Sequence, residues 1–434
     1  MKLNRSKLVL HRRIIRLFLV FSLLASSIPN VGFAYDQPEL TFEDREEIFD
    51  KVWNLINDRY YDPKMNGVDW ERVRANYEPQ IPGLKTSEEF YDLLKKMVGE
   101  MNDAHTRFLT PREARERRER QSTTVGLLLS RVEGKTVVEL VSSDAKSELA
   151  KVKPGMIVRT IDGIDVEKSF ARAQKELGGS SSERSLEIMT YSRMLRGEPG
   201  TLVRIGLTDE SGRNFEVKLI REVVPEKSEA AGRVLPSGLG YISISSFKSP
   251  ISDKFKKTLS ELKSTPALII DLRYNGGGSI SEVLEMAGVF LDRKYSFGKF
   301  MKRSGSSNQT LKKFSAGDKG GQLYSKPLII LTSKFSASGS ELFASSLQEL
   351  GRAKIVGEQS CGCLLGISRK HSLKDGSELH ISDIGFISPK GNIYEKVGVT
   401  PDIVIEHTIR DLQGGIDRGM FEAEKLLEDS ASLY

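Results

Sequence analysis

Ser338 has the setting richest in chemistry. It stands in the run FSASGSE, between an apolar strand-like stretch (Pro327 to Thr332) and a helix-like one (Ser340 to Leu350). A serine at a strand-to-helix turn carries its hydroxyl clear of the sheet, and the free amides of the helix start face the place where an oxyanion would form. That is the setting of a nucleophile in acyl transfer. A serine hydroxyl at neutral pH needs a base, so the identity of the base decides the mechanism. In DLRYNGGG, the run Gly276-Gly277-Gly278 follows a second strand end, where bare backbone can present an amide with no side chain in the way. The run lacks the Lys-Ser/Thr of a phosphate-binding loop, which sets nucleotide binding aside.

The only cysteines, Cys361 and Cys363, form a Cys-x-Cys. Two thiols cannot build a disulfide framework, and without histidine or cysteine at zinc spacing they make a poor metal site. They read first as small buried residues, with a redox-active disulfide as the alternative; no metal or cofactor is expected.

Residues 1–34 read as an export signal. Lys2, Arg5, Lys7, Arg12, Arg13 and Arg16 precede an apolar run from Leu17 to Leu24, and small residues lead to Ala34, where cleavage is expected. The apolar run is short of the roughly 20 residues a membrane span needs, so no span should remain after the signal is removed. The whole chain has 65 Lys+Arg against 59 Asp+Glu. The signal holds the six excess cations and no acid, so the remainder balances, and nothing points to nucleic acid.

The elements that must position Ser338 fall into three segments after the signal, giving an expected α+β multidomain chain. Residues 35–120 are helical: Phe49, Val52, Trp53 and Ile56, then Phe90, Leu93, Leu94, Met97 and Met101, recur at spacings of three and four. The charged run Arg112 to Arg120 is a solvated helix face closing this segment. Residues 121–228 carry short β-prone runs (VGLLLSRV, KTVVELV, MIVRTIDG, TLVRIGL, FEVKLI) punctuated by Gly and Pro-Gly turns. Between them Val166 to Leu195 is polar and helix-prone, broken at Gly178-Gly179 and the three serines that follow, and is expected at the surface. Residues 229–434 alternate apolar strands with amphipathic helices, as in an α/β domain with a largely parallel sheet, closed by a helix at Phe421 to Leu427.

VGLLL and KPGMIVRTIDG resemble a PDZ domain. The resemblance places Val125, Gly126, Leu127 and Leu128 at the loop whose amides hold a peptide carboxylate while the peptide adds to the sheet edge. Over nearly the whole chain after the signal, MNDAHTRFL, LGYISISSF, IIDLRYNGGG, SKFSASGSELFASSLQELGRAKIVGE, LKDGSELHIS and EKVGVTPDI occur in the order found in the carboxyl-terminal processing peptidases and their tricorn-type relatives. The chain resembles that family, with its crotonase-like α/β peptidase core. The resemblance singles out Ser338 over Ser336 and Ser340, and implies an oxyanion hole from the amide of Gly339 with that of Gly276 or Gly277.

One departure matters more than the match. Most processing peptidases activate the serine with a lysine from a later Gly-Lys-Gly stretch, oriented by a glutamine; Cys363 and Ile367 stand at those positions here. The tricorn-type branch uses histidine with a glutamate instead, and matching contexts are present: His105 in NDAHT, and Glu395 in EKVGVTPD. Imidazole titrates near pH 6.5 and can take the hydroxyl proton, while a carboxylate on its other nitrogen fixes the tautomer. His371 and His380 on strand-like runs, His407 after the last strand, and His11 in the signal are weaker candidates. The resemblance thus implies an exported serine endopeptidase, periplasmic or in a thylakoid lumen, that cleaves protein C-terminal tails. Activity would fall with protonation of the imidazole. The alternative, motivated by the missing lysine, is a degenerate homologue retained as a peptide-binding scaffold. Oligomeric state has no signature in the sequence.

Overall fold

The computed structural model describes residues 39–431, apart from 144, 146, 306 and 318–322. The expected export signal, with His11, lies outside the described residues. The helical front comprises Phe42–Arg59, Trp70–Tyr77, Ser87–Gly99 and Pro111–Arg118. Three of these start at a threonine whose hydroxyl takes an amide of the first turn while an acid three residues on reaches back: Thr41 with Asp44, Thr86 with Glu89, Thr110 with Glu113. The apolar stripes meet in one core, where Phe49, Val52, Ile56, Phe90, Leu94 and Met97 are buried. Trp53 and Trp70 each donate their indole N–H to the other's carbonyl at 3.1 Å, locking the first two helices together.

This front is not wholly helical. Arg107–Leu109 forms a short strand paired antiparallel with Glu378–His380, Arg107 opposite His380. Three residues carry no periodicity and the partner is far along the chain, so the strand had no local signal. The pairing also brings Leu379 and Ile381 into the helical core.

The five β-prone runs become Leu127–Val132, Lys135–Val141, Ile157–Ile161, Leu202–Thr208 and Asn214–Ile220, neighbours in that order in an antiparallel sheet. Strict alternation buries Val203, Ile205 and Leu207 against Val138, Val158 and Val217. Leu127–Val132 is an edge strand of this sheet. The polar stretch folds as two helices, Val166–Leu177 and Glu183–Leu195. Its serine-rich break departs from expectation, since Ser181 and Ser185 are buried.

In the last segment Gly240–Ile244, Leu268–Asp271, Leu328–Thr332, Lys354–Gly357 and Ile403–Val404 run parallel in one sheet, with Ala230–Val234 antiparallel at its edge. Leu268–Asp271 and Leu328–Thr332 are buried throughout, as central strands covered on both faces must be. Separate apolar clusters fill the two faces, one around Phe247, Phe290 and Phe343, the other under the closing helix Arg418–Ala431 at Ala423 and Leu427. A hairpin of Tyr295–Ser304 and Ser307–Ala316 was not anticipated, because its outer strand is polar and largely exposed. The described residues from Leu40 onward form one compact unit.

Candidate active site

The Leu328–Thr332 strand ends in a tight loop, and the next helix, Gly339–Glu349, begins immediately after Ser338. Ser338 has φ +53° and ψ −111°. A side chain in that region of backbone space costs roughly 1–3 kcal/mol, and such strain persists only where the surroundings fix it. Here they do. The Ser338 amide donates to Cys363 O at 3.1 Å and to Glu341 Oε2 at 2.9 Å, and the Ala337 amide donates to Asn275 O at 3.1 Å. Ser336 and Ser340 are fully buried, with hydroxyls given to Leu272 O and Asn275 O at 2.8 and 2.7 Å. Ser338 is only half-buried, which separates it from its two neighbours.

The glycine run packs against this turn. At Gly277, φ +94°, an added Cβ would lie 2.6 Å from both Ala337 O and Gly339 N, so no other residue fits. Its amide donates to Asn275 Oδ1 at 2.8 Å. Gly276 faces open space. Gly339 opens the helix, where its amide has no intrahelical acceptor.

A residue the sequence reading missed holds the turn together. Glu341 is fully buried, and its carboxylate takes four donors: Ser360 Oγ at 2.6 Å, Gly362 N at 2.7 Å, Cys363 N at 3.0 Å and the Ser338 amide. Burial pushes its pKa up against those four bonds. Its position three residues past Ser338, at the third residue of a helix, was the available signal.

Cys361 and Cys363 are both buried and joined as a disulfide, the second of the two sequence readings. The bridge flanks the Ser338 turn: Cys361 N donates to Ser336 O at 2.9 Å, and Cys363 O receives the Ser338 amide. Where the usual lysine would stand, this chain has a cross-linked loop.

His105 sits just before the Arg107–Leu109 strand. Asp103 shapes its loop, accepting from the His105 amide at 2.8 Å and from Thr106 Oγ1 at 2.6 Å. The ring's Nδ1 is buried with no partner, and burial lowers the imidazole pKa to about 4, with Arg107 and Arg117 adding and Asp103 opposing. Glu395 is buried and accepts from Leu364 N at 2.6 Å. Burial, then the charge of Asp103, pushes its carboxyl up to about 8. Glu395 thus reaches the loop that touches Ser338, and the Ser181 hydroxyl oxygen accepts the Ala104 amide of the His105 loop at 3.0 Å. Among the described residues, no hydrogen bond joins Ser338, the His105 ring and Glu395 directly.

The other histidines have other engagements. His380 is fully buried with Nε2 3.2 Å from Glu378, itself paired with Arg118; His371 lies on the neighbouring strand. The Nδ1 of His407 is buried without a partner. Val125 and Leu127 are buried and Leu128 half-buried. The Gly126 amide donates to Thr124 Oγ1 at 3.0 Å. On the same edge strand, the Arg131 amide donates to Glu187, and Lys334 Nζ, paired with Glu187 at 2.9 Å, donates to the Arg131 carbonyl. Among the described residues no helix is long and apolar enough to cross a membrane.

Residues 238–405 match peptidase family S41, and residues 42–99 match the tricorn protease C1 domain. The chain is 29% identical over 404 residues to carboxyl-terminal-processing peptidase 2, chloroplastic, of Arabidopsis thaliana, covering 88% of this chain and 73% of that one. It is 26% identical over 382 residues to the chloroplastic C-terminal processing peptidase of Tetradesmus obliquus, covering 85% and 79%. In fold it is similar to mature CPAF, at TM-score 0.71 with 13% identity over 90% of this chain and 98% of that one. Fold and family together define a serine-type peptidase. Residues 238–405 carry the domain of peptidase family S41, and over most of its length the chain is similar to carboxyl-terminal processing peptidases.

Proposed function

We propose that this serine peptidase is an exported endopeptidase acting on protein C-terminal tails through Ser338, His105 and Glu395. The observation that carries the reading is the backbone of Ser338, held at φ +53° by two acceptors while its side chain alone among three neighbouring serines is left half-exposed. Ser338 Oγ attacks the scissile carbonyl, His105 takes its proton and passes it to the leaving amine, and Glu395 orients the imidazole. The Gly339 amide, with that of Gly276 or Gly277, receives the oxyanion; the Gly277 amide becomes available when the Asn275 side chain turns away. The resting arrangement keeps the imidazole unpartnered, so substrate binding must close the gap between the His105 loop and Ser338. Residues 121–228 act as a PDZ domain in which Val125, Gly126, Leu127 and Leu128 take the tail's carboxylate and the edge strand pairs with its backbone.

A serine-reactive fluorophosphonate should label the purified chain and not Ser338→Ala, and that variant should lose roughly 10⁴-fold or more in kcat on a denatured tail. Equal cleavage by Ser338→Ala would end the proposal. Absence of labelling at every pH and with every tail peptide would favour the scaffold alternative.

A further inference from the structure

His105 Nδ1 has no partner, so the ring does not seat itself, and its loop is placed by contacts on the backbone that leads into it. One such contact comes from far along the chain. The turn DPKMNG, after the first helix, is folded around Asp62, whose carboxylate accepts the Lys64 amide at 3.0 Å and the Asn66 amide at 3.1 Å. Asn66 is thereby held half-buried with its side chain on the segment just before His105. Its Nδ2 donates to Met101 O at 2.8 Å and to Asn102 O at 3.2 Å. On the other side, Asn66 Oδ1 accepts from Lys396 Nζ at 2.6 Å. Lys396 follows Glu395 directly, and its amide donates to Gly362 O at 2.9 Å, between the two cysteines. One carboxamide thus spends its amine hydrogens on the segment that enters His105 and its oxygen on the loop of Glu395.

The backbone marks the same junction independently. Met65, Asn66, Asn102 and Lys396 have φ of +51°, +59°, +50° and +68°. Outside glycine, asparagine and aspartate visit that region most readily, so Met65 and Lys396 are strained there. Strain of this kind persists only where the surroundings fix the backbone, and it collects where a geometry must be held. We propose that Asn66 is a positioning residue of the peptidase reaction, tying the segment that enters His105 to the loop that carries Glu395, a role that rests on the reading of those two residues given above. Cutting the tie leaves each loop folded but lets the imidazole drift from the acid. Proton transfer then slows while tail binding is untouched.

The test is labelling of the full chain by a fluorophosphonate, read both as the rate constant per reactive serine and as the fraction of chains labelled at completion. Asn66→Gly keeps the positive φ and removes the carboxamide. Its rate constant should fall roughly 10- to 100-fold, with kcat on a denatured tail peptide falling in step and KM unchanged within about twofold. The labelled fraction should stay at the wild-type level, because a purely structural loss lowers the fraction and leaves the rate constant alone. Lys396→Met keeps the reach of the side chain without the donor. That position is exposed, so the midpoint of thermal unfolding should hardly move while labelling slows roughly threefold or more. Cutting one tie from both ends adds nothing, so the double variant should be as slow as Asn66→Gly and not slower by the product of the two losses. A wild-type rate constant in either single variant overturns the proposal, and so does a double variant slowed by the full product. If Asn66→Gly does not accumulate folded, Lys396→Met decides by itself, and an unmoved rate constant there overturns the tie. The underlying reading fails separately: His105→Ala or Glu395→Gln labelling at the wild-type rate removes it, whereas loss of labelling in both beside a wild-type rate in Asn66→Gly removes only Asn66.

Discussion

At the scale of the residue, the site is governed by burial acting oppositely on two groups. His105 is held neutral down to about 4, and Glu395 keeps its proton up to about 8. A mechanism that needs a neutral imidazole and an ionised carboxylate therefore takes its rising limb from Glu395. The sequence, reading imidazole at its ordinary value, placed that limb near 6.5. The free-enzyme profile of kcat/KM should climb through about pH 8; a plateau already complete at 6.5 would show that Glu395 need not ionise. Glu341 makes the second prediction. Truncating it to Ala strands the amides of Gly362 and Cys363 in the interior and leaves the Ser338 amide with Cys363 O alone. The variant should lose about 3 kcal/mol or more in denaturant unfolding along with most activity. A near-wild-type midpoint would mean that water replaces the carboxylate.

At the scale of the element, the Ser338 turn is a contact between two loops from adjacent parallel strands. Gly277 lies under it, and Gly277→Ala would put a methyl 2.6 Å from the backbone of Ala337 and Gly339 at a φ of +94°. Cleavage by that variant should drop to background while secondary structure by circular dichroism is kept; full activity would show that the turn moves freely. The disulfide closes too small a ring to restrict the unfolded chain much, so its effect on stability is modest. It braces the loop that holds the Ser338 amide and Glu395. A dithiol reductant should therefore lower kcat/KM with little change in Tm, and unaltered activity would remove the bridge from any part in the reaction.

At the scale of the whole molecule, the candidate groups come from distant segments: His105 from the helical front, Ser338 and Glu395 from the parallel-sheet portion. Lys334 of the Ser338 loop also reaches the edge strand Leu127–Val132, bonding the Arg131 carbonyl. If that edge receives a tail by its terminal carboxylate, a peptide substrate with an amidated C-terminus should show a KM raised roughly tenfold or more with kcat less affected, as loss of a charge-assisted contact implies. Equal KM for the acid and the amide would place recognition elsewhere.

Sequence alone determined what depends on neighbours along the chain. Helix stripes, alternating strands, the parallel-sheet pattern and the serine at a strand-to-helix turn are local in origin, because period and capping chemistry are written within a dozen residues. His105 and Glu395 were visible only as matches of context, since nothing near either one says what it faces. Tertiary structure decided the rest. The Arg107–Leu109 strand exists because Glu378–His380 comes back to pair with it, and that pairing anchors the segment that follows His105. Polar Ser181 and charged Glu341 are buried because distant backbone groups satisfy them, and burial of a polar side chain is a property of its partners, which a linear pattern does not contain.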